Sequence, residues 1–144
     1  MRYWDTSALL PLCVREPTTA LLTRTFTDDP SVITWWGTRV EAMSALARLE
    51  RDGALAGPGQ RAASARLGAL VAAWAEVEPG AVVREQAERL LRTHALRAAD
   101  ALQLAAAVVA SGHRPPALPF VTLDQRLSEA ARREGFPLVI PSTT

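Results

Sequence analysis

The chain has 144 residues and a mass of 15.5 kDa, with 49% apolar and 22% charged side chains. This length allows one ordinary domain with one core, and the composition excludes a disordered or fibrous protein. Sixteen basic and fifteen acidic residues give a formal net charge of +1, so no overall field indicates a nucleic-acid partner, which would have to bind a local patch.

Short strands and helices alternate in the first half of the sequence. The local patterns predict strands at 2–4 and 31–34 and helices over 6–14, 17–28 and 38–51. In the last of these helices Val40, Met43 and Ala47 form an apolar stripe, and Gly53 ends it. Each predicted strand is therefore followed by at least one helix.

The second half continues this alternation. Helices are predicted over 60–74, 81–94, 98–111 and 125–134, and short strands at 76–78, 120–123 and 138–140. The helix over 98–111 is apolar around nearly its whole circumference, which indicates that it is buried. Strands alternating with helices predict an α/β fold, a three-layer α/β/α sandwich with a short, mainly parallel sheet.

Cysteine content and apolar runs bear on the location of the protein. The single cysteine, Cys13, cannot form an internal disulfide and is better explained as a core residue. The apolar run 8–14 lacks the preceding basic segment of a signal peptide. The longest uncharged stretch, 101–112, has 12 residues, whereas about 20 are needed to span a bilayer. We therefore expect a soluble, cytoplasmic protein with no membrane partner.

Asp5 and Asp124 occupy equivalent positions, each after a predicted strand and at the start of a helix. The carboxyl ends of parallel strands meet at one edge of an open α/β sheet, where ligands bind. Either side chain could instead act only as an N-cap, which stabilises a helix by about 1 kcal/mol. The residues themselves leave both interpretations open.

Glu41 and Asp100 lie in the first turns of two other predicted helices. Asp100 is the only charge of its apolar helix, where an ionised carboxylate is costly unless it is paired. Arg97, three residues earlier, could pair with it, and the helix dipole alone favours an acid in a first turn. Together with Asp5 and Asp124, however, these acids form a set of oxygen ligands suited to Mg²⁺ or Mn²⁺.

Other kinds of site lack the residues they need. His94, His113 and the single cysteine do not have the spacing of zinc ligands. Ser64 and Ser128 lie outside any nucleophile-elbow context, and no glycine pattern resembles a phosphate-binding loop. The four acids therefore remain the candidate site.

Four segments resemble, in order and spacing, the acidic motifs of the PIN-domain ribonucleases, and among these the VapC-type toxins of toxin–antitoxin pairs. The segments are WDTSAL at 4–9, RVE at 39–41, LRAADAL at 96–102 and VTLDQRL at 121–127. The resemblance covers essentially the whole chain. It implies a single PIN-like nuclease domain over residues 1–144.

The resemblance also implies a site and partners. The implied catalytic and metal-binding acids are Asp5, Glu41, Asp100 and Asp124, with Mg²⁺ or Mn²⁺ as the cofactor and the hydroxyls of Ser7 and Thr122 in support. The implied partners are an RNA substrate, a cognate antitoxin that blocks the site, and a second copy of the chain in a homodimer. Four arginines near the motifs are candidates for binding the RNA backbone, although each could be a solvated helix charge: Arg15, Arg39, Arg97 and Arg126. The Trp35–Trp36 pair is bulkier than the family pattern and could pack the core, pack the dimer or stack a base.

The predicted function is that of a metal-dependent endoribonuclease, the toxin of a toxin–antitoxin system, which hydrolyses RNA phosphodiester bonds with water activated in a four-carboxylate site. Two alternatives stay open: a non-catalytic PIN-like interaction module and a phosphatase of the haloacid-dehalogenase type. The phosphatase also begins with a strand that ends in Asp. It normally needs a second Asp two residues later, where this chain has Ser7, and a Lys, which this chain lacks.

Overall fold

The computed structural model of the protein describes residues 1–141. The domain predicted over 1–144 also includes residues 142–144, which lie outside the described residues. The elements in chain order are β1 (Arg2–Trp4), α1 (Thr6–Cys13), α2 (Thr19–Asp28), β2 (Val32–Trp35), α3 (Thr38–Arg51), α4 (Pro58–Ala73), β3 (Ala75–Val77), α5 (Ala81–Thr93), α6 (Ala98–Ala110), β4 (Phe120–Val121) and α7 (Gln125–Glu134), with a 3₁₀ turn at Pro115–Ala117 before β4.

The strands form one parallel sheet in the order β3-β2-β1-β4. Tyr3 of the inner strand β1 pairs with Ile33 of β2 on one side and with Phe120 of β4 on the other. Because the strands are parallel, their carboxyl ends lie at one edge of the sheet. The segments that follow β1 and β4 therefore start next to each other.

Successive side chains of β1 point to opposite faces of the sheet, and a separate core lies on each face. Tyr3 packs with residues of α5, α6 and α7, whereas Trp4 packs with residues of α1, α2, α3 and α4. Both side chains are fully buried. The predicted three-layer α/β/α sandwich is thus confirmed, and its sheet is parallel throughout.

The predicted last strand, 138–140, is wrong in extent. It is reduced to one parallel bridge between Leu138 and Phe120, with Val139 N donating to the Phe120 carbonyl at 3.0 Å. Pro137 and Pro141 flank the segment and have no amide proton, so the hydrogen-bond ladder cannot extend in either direction.

The apolar stripe predicted on α3 is not its buried face. Val40 is 66% exposed and Met43 47% exposed, while Thr38, Ala42 and Leu46 are buried. The hydroxyl of Thr38 forms a hydrogen bond with the buried hydroxyl of Thr34 in β2, at 2.8 Å, which holds Thr38 on the inward side. The buried face of α3 thus includes a polar side chain, Thr38, whose hydroxyl is satisfied by hydrogen bonds inside the fold.

No helix within residues 1–141 is both long enough and apolar enough to cross a membrane.

Candidate active site

Asp5 follows β1 and caps α1. Its carboxylate accepts hydrogen bonds from Ser7 N at 3.3 Å and from Ser7 Oγ at 2.8 Å. Burial raises the pKa of Asp5 to about 7, opposed by hydrogen bonds from Ser7 and Thr122, and the negative charge of Asp124 raises it further. The cap is therefore real, but a cap does not account for a buried carboxyl placed beside a second acid.

Two hydroxyls connect the ends of β1 and β4. Ser7 Oγ accepts a hydrogen bond from Leu123 N at 2.9 Å and lies 3.3 Å from Thr122 Oγ1, which accepts from Asp124 N at 3.0 Å. The two hydroxyls thus accept hydrogen bonds from the amides of Leu123 and Asp124, which are then not available to extend the strand. This is why β4 ends two residues before Leu123, the end predicted from the sequence.

Asp124 caps α7 at the end of that loop. Its Oδ1 accepts a hydrogen bond from Leu127 N at 2.9 Å, and the side chain is half-buried. The N-cap interpretation of the sequence thus holds for Asp124 as it does for Asp5. The loop also brings its charge close enough to act on Asp5 and on Asp100.

Asp100 lies in the first turn of α6 and is half-buried. Burial raises its pKa, the charge of Asp124 raises it further, and the charges of Arg97 and Arg126 lower it. The ion pairs found within residues 1–141 do not include Asp100, so the alternative ion pair with Arg97 is not formed. Asp100, Asp124, Arg97, Gln125 and Arg126 together line an open cleft of about 360 Å³.

Glu41 lies in the first turn of α3 and is held by a residue that the sequence analysis did not identify. Gln103 of α6 donates from Nε2 to Glu41 Oε1 at 2.7 Å. Burial raises the pKa of Glu41, hydrogen bonds from Gln103 and Thr6 lower it, and the charge of Asp100 raises it. A glutamine within an apolar, buried helix needs hydrogen-bond partners, and that requirement is the signal that could have revealed Gln103.

The four acids interact in a series at the carboxyl edge of the sheet. The charge of Asp124 acts on Asp5 and on Asp100, and the charge of Asp100 acts on Glu41. The ligand atoms are carboxylate oxygens, which suit Mg²⁺ or Mn²⁺, and a cation would relieve their mutual repulsion. In the described part of the chain no three His, Cys, Asp or Glu side chains are arranged to hold a metal ion. The donor chemistry fits such a cation, although the side chains do not form a preassembled ligand group.

The arginines predicted to bind RNA do not share one location. Arg97 and Arg126 line the cleft that contains Asp100 and Asp124. Arg15 lines a separate groove beside α2, and Arg39 is exposed in the first turn of α3. Of these four arginines, Arg97 and Arg126 therefore share a cleft with acids of the candidate site.

The two tryptophans before α3 differ in burial, one lying in the core and the other at the surface. Trp35 is 8% exposed and belongs to the core that contains Tyr3, whereas Trp36 is 49% exposed. Their rings meet edge to face with centroids 6.4 Å apart. Core packing thus accounts for Trp35 but not for Trp36.

The chain is similar to known proteins in structure and matches a known family. No curated protein matches the sequence significantly. The structure is similar to that of PAE2754 from Pyrobaculum aerophilum, with 23% identity, a TM-score of 0.67, and 96% of this chain and 90% of that chain covered. It is also similar to VapC20 of Mycobacterium tuberculosis, a toxin that cleaves the sarcin–ricin loop, with 22% identity, a TM-score of 0.68, and 98% and 100% covered. At these identities the similarity shows a shared fold. The PIN domain family matches residues 2–133, and the chain therefore belongs to the PIN domain family.

Proposed function

We propose that residues 1–144 form a single nuclease domain, a metal-dependent endoribonuclease that hydrolyses RNA phosphodiester bonds in the cytoplasm as the toxin of a toxin–antitoxin pair. Membership of the PIN domain family and structural similarity to VapC20, a toxin that cleaves the sarcin–ricin loop, support a nuclease. The observation that carries the proposal is the placement of Asp124, which lines one cleft with Asp100 and is connected to Asp5 through the hydroxyls of Ser7 and Thr122.

The proposed chemistry follows from a set of carboxylates beside cationic side chains. Mg²⁺ or Mn²⁺, held by Asp5, Glu41, Asp100 and Asp124, would supply positive charge that activates water and stabilises the leaving oxygen. A carboxylate that is not fully used as a ligand can accept the proton of the attacking water.

Other side chains of the site would orient these groups. The hydroxyls of Ser7 and Thr122 keep Asp5 and the loop before Asp124 in place through the hydrogen bonds that connect β1 with β4. Arg97 and Arg126, in the same cleft as two of the acids, would bind phosphate oxygens of the RNA backbone.

The partners in this proposal are an RNA substrate, a cognate antitoxin that covers the acidic cleft, and a second copy of the chain. Family membership excludes the haloacid-dehalogenase alternative. A non-catalytic interaction module would bind RNA or a protein partner without cutting RNA, so a cleavage assay separates it from a nuclease.

The deciding experiment incubates the purified protein with structured RNA in Mg²⁺, Mn²⁺, Ca²⁺ or EDTA and maps the new RNA ends. We expect cleavage with Mg²⁺ or Mn²⁺, poor activity with Ca²⁺, which prefers more ligands at longer distances, and none with EDTA. Glu41→Gln should reduce the rate by at least about 100-fold. Glu50→Gln, which changes an exposed glutamate of the same helix, should leave it unchanged. Cleavage that persists in EDTA would refute metal dependence, and equal rates for the two variants would refute the assignment of Glu41.

A further inference from the structure

Gln103 lies three residues after Asp100 on α6 and is 2% exposed. Its amide joins four side chains that come from other elements or their boundaries. The amide nitrogen Nε2 is 2.7 Å from Glu41 Oε1, 2.9 Å from Thr38 Oγ1 and 3.1 Å from Thr6 Oγ1, and the amide oxygen Oε1 is 2.6 Å from the hydroxyl of Tyr3.

The orientation of this amide follows from the hydrogen bonds on its nitrogen side. Thr34 Oγ1 donates its only proton to the carbonyl of Trp4, at 2.7 Å, since a carbonyl can only accept. Thr38, whose hydroxyl is 2.8 Å from that of Thr34, must therefore be the donor in their contact. Thr38 Oγ1 is left with lone pairs only, so the group of Gln103 that faces it has to be the NH₂.

The other end of the amide leads to the same orientation. A tyrosine hydroxyl is protonated at neutral pH, because its ordinary pKa is about 10, and Tyr3 can donate that proton to Gln103 Oε1. If the amide were flipped, its oxygen would take the place of Nε2 and lie 2.7 Å from Glu41 Oε1, which is also an acceptor. Two buried acceptors in contact are unfavourable, so Tyr3 and Thr38 together select one orientation.

A count of protons shows what this orientation does for the acid. The NH₂ group has two protons and three acceptors within reach. The shortest contact is the one to Glu41, so one proton is committed to that carboxylate and the second is shared between Thr38 and Thr6. Glu41 is thereby tied to α6, the helix that carries Asp100 one turn before Gln103.

We propose that Gln103 is a positioning residue of the candidate active site: its Nε2, oriented by Tyr3 and Thr38, holds the Glu41 carboxylate against α6, the helix that carries Asp100, so that Glu41 can serve as a ligand of a divalent cation. The inference rests on the proposed function, because it assigns Glu41 a role in binding that cation. Gln103 itself is 2% exposed, so in this proposal it acts through the Glu41 carboxylate that it holds.

The test is a double-mutant cycle on the full chain, in which the dissociation constant of Mn²⁺ is measured by calorimetry with metal-free protein. The four proteins are wild type, Gln103→Leu, Glu41→Gln and the double variant. Gln103→Leu should weaken Mn²⁺ binding about 10-fold, the lower end of the effect known for groups that orient metal ligands. In the Glu41→Gln background the same substitution should have no further effect, because the carboxylate it positions is gone.

Two further variants separate positioning from stability. Leu104→Ala removes a fully buried side chain from the next position of α6, and should lower the melting temperature while leaving Mn²⁺ affinity unchanged. Tyr3→Phe keeps the ring in the core but releases the amide oxygen of Gln103, and should weaken Mn²⁺ binding several-fold through a less well-oriented amide. This second variant tests the inference even if Gln103→Leu does not fold.

The outcomes distinguish this inference from the proposed function. Wild-type protein that does not bind Mn²⁺ would overturn the proposed function and the inference with it. If the wild type binds Mn²⁺ and Glu41→Gln weakens binding, while Gln103→Leu and Tyr3→Phe both bind as the wild type does, only the positioning role is overturned. Equal weakening by Gln103→Leu in both backgrounds would also overturn it, because the effect would not pass through Glu41.

Discussion

At the scale of single residues, Asp5 has to satisfy two demands. As an N-cap it must accept hydrogen bonds from the first turn of α1, and as a candidate ligand it must keep its charge while buried beside Asp124. Burial favours the neutral form, which is why its pKa rises from 3.8 to about 7 in the absence of a cation. The stability of the metal-free protein should therefore depend on the protonation of this group.

We predict that metal-free protein becomes less stable as the pH rises from about 4 to about 7 because of Asp5. In this range the folded protein binds a proton at Asp5 that the unfolded chain has lost, so unfolding becomes easier as the pH increases. The contribution is at most about 1.4 kcal/mol per pH unit. Denaturant unfolding in EDTA at several pH values measures it, and Asp5→Asn should remove this part of the slope. Equal slopes for the two proteins would contradict the prediction.

Asp100 gives a second prediction, which separates a metal site from a structural role. Asp100→Asn removes a charge that Asp124 repels, so melting in EDTA should occur at the same or a higher temperature than in the wild type. Mg²⁺ should raise the melting temperature of the wild type, since it binds only the native state, and should raise that of the variant less. A variant that melts earlier in EDTA and responds to Mg²⁺ as the wild type does would show that Asp100 is structural.

At the scale of elements, the start of α3 decides where Glu41 lies. Gly37 comes directly before the helix, and a Cβ at this position would lie 2.5 Å from Nε1 and 2.9 Å from Cδ1 of Trp35. The Trp35 ring is packed in the core and cannot move away freely. The absence of a side chain at Gly37 thus allows the chain to turn over the ring and begin α3 at Thr38, three residues before Glu41.

We predict that Gly37→Ala destabilises the protein by about 1 to 3 kcal/mol, the usual cost of overpacking, and lowers RNA cleavage by displacing the first turn of α3. Gly68→Ala is the matched control. Gly68 lies within α4, where a Cβ meets nothing within 4 Å, and a helical alanine should stabilise by about 0.5 to 1 kcal/mol. Chemical denaturation of the two variants measures both effects, and similar free energies of unfolding would show that the contact with Trp35 is unimportant.

At the scale of the whole molecule, the sheet separates two cores, and some large apolar side chains belong to neither. Val40 and Met43 lie three residues apart on α3, hence on the same side of the helix, and both are exposed. An exposed apolar surface of this kind is common where proteins associate. The exposed surface formed by Val40 and Met43 thus favours a homodimer, which the family resemblance also implies.

We therefore predict that light scattering at micromolar concentration gives a mass of about 31 kDa, twice the 15.5 kDa of the chain. The measurement should be repeated across a range of concentrations and in high salt, because an apolar contact is insensitive to screening. A mass of one chain at all concentrations would contradict the dimer.

The alternation of strands and helices, the ends of α3 and α7, and the placement of four acids at helix starts were predictable from the sequence, because they depend on neighbouring residues. Helix periodicity, proline and glycine positions and capping preferences all act over a few residues. The resemblance to the PIN-domain ribonucleases rested on the same short segments, and the family match confirms it.

The packing of distant elements determines which face of α3 is buried, how far β4 extends and which residue holds Glu41. Each involves hydrogen bonds between distant residues: Gln103 is 62 residues from Glu41, 65 from Thr38 and 100 from Tyr3, and Ser7 is 116 from Leu123. Local patterns were enough to predict the α/β class and the four acids, because such patterns encode elements and their ends. The partners of a buried polar side chain are decided when the layers pack, because its hydrogen bonds must then be satisfied by whatever groups the fold brings within reach.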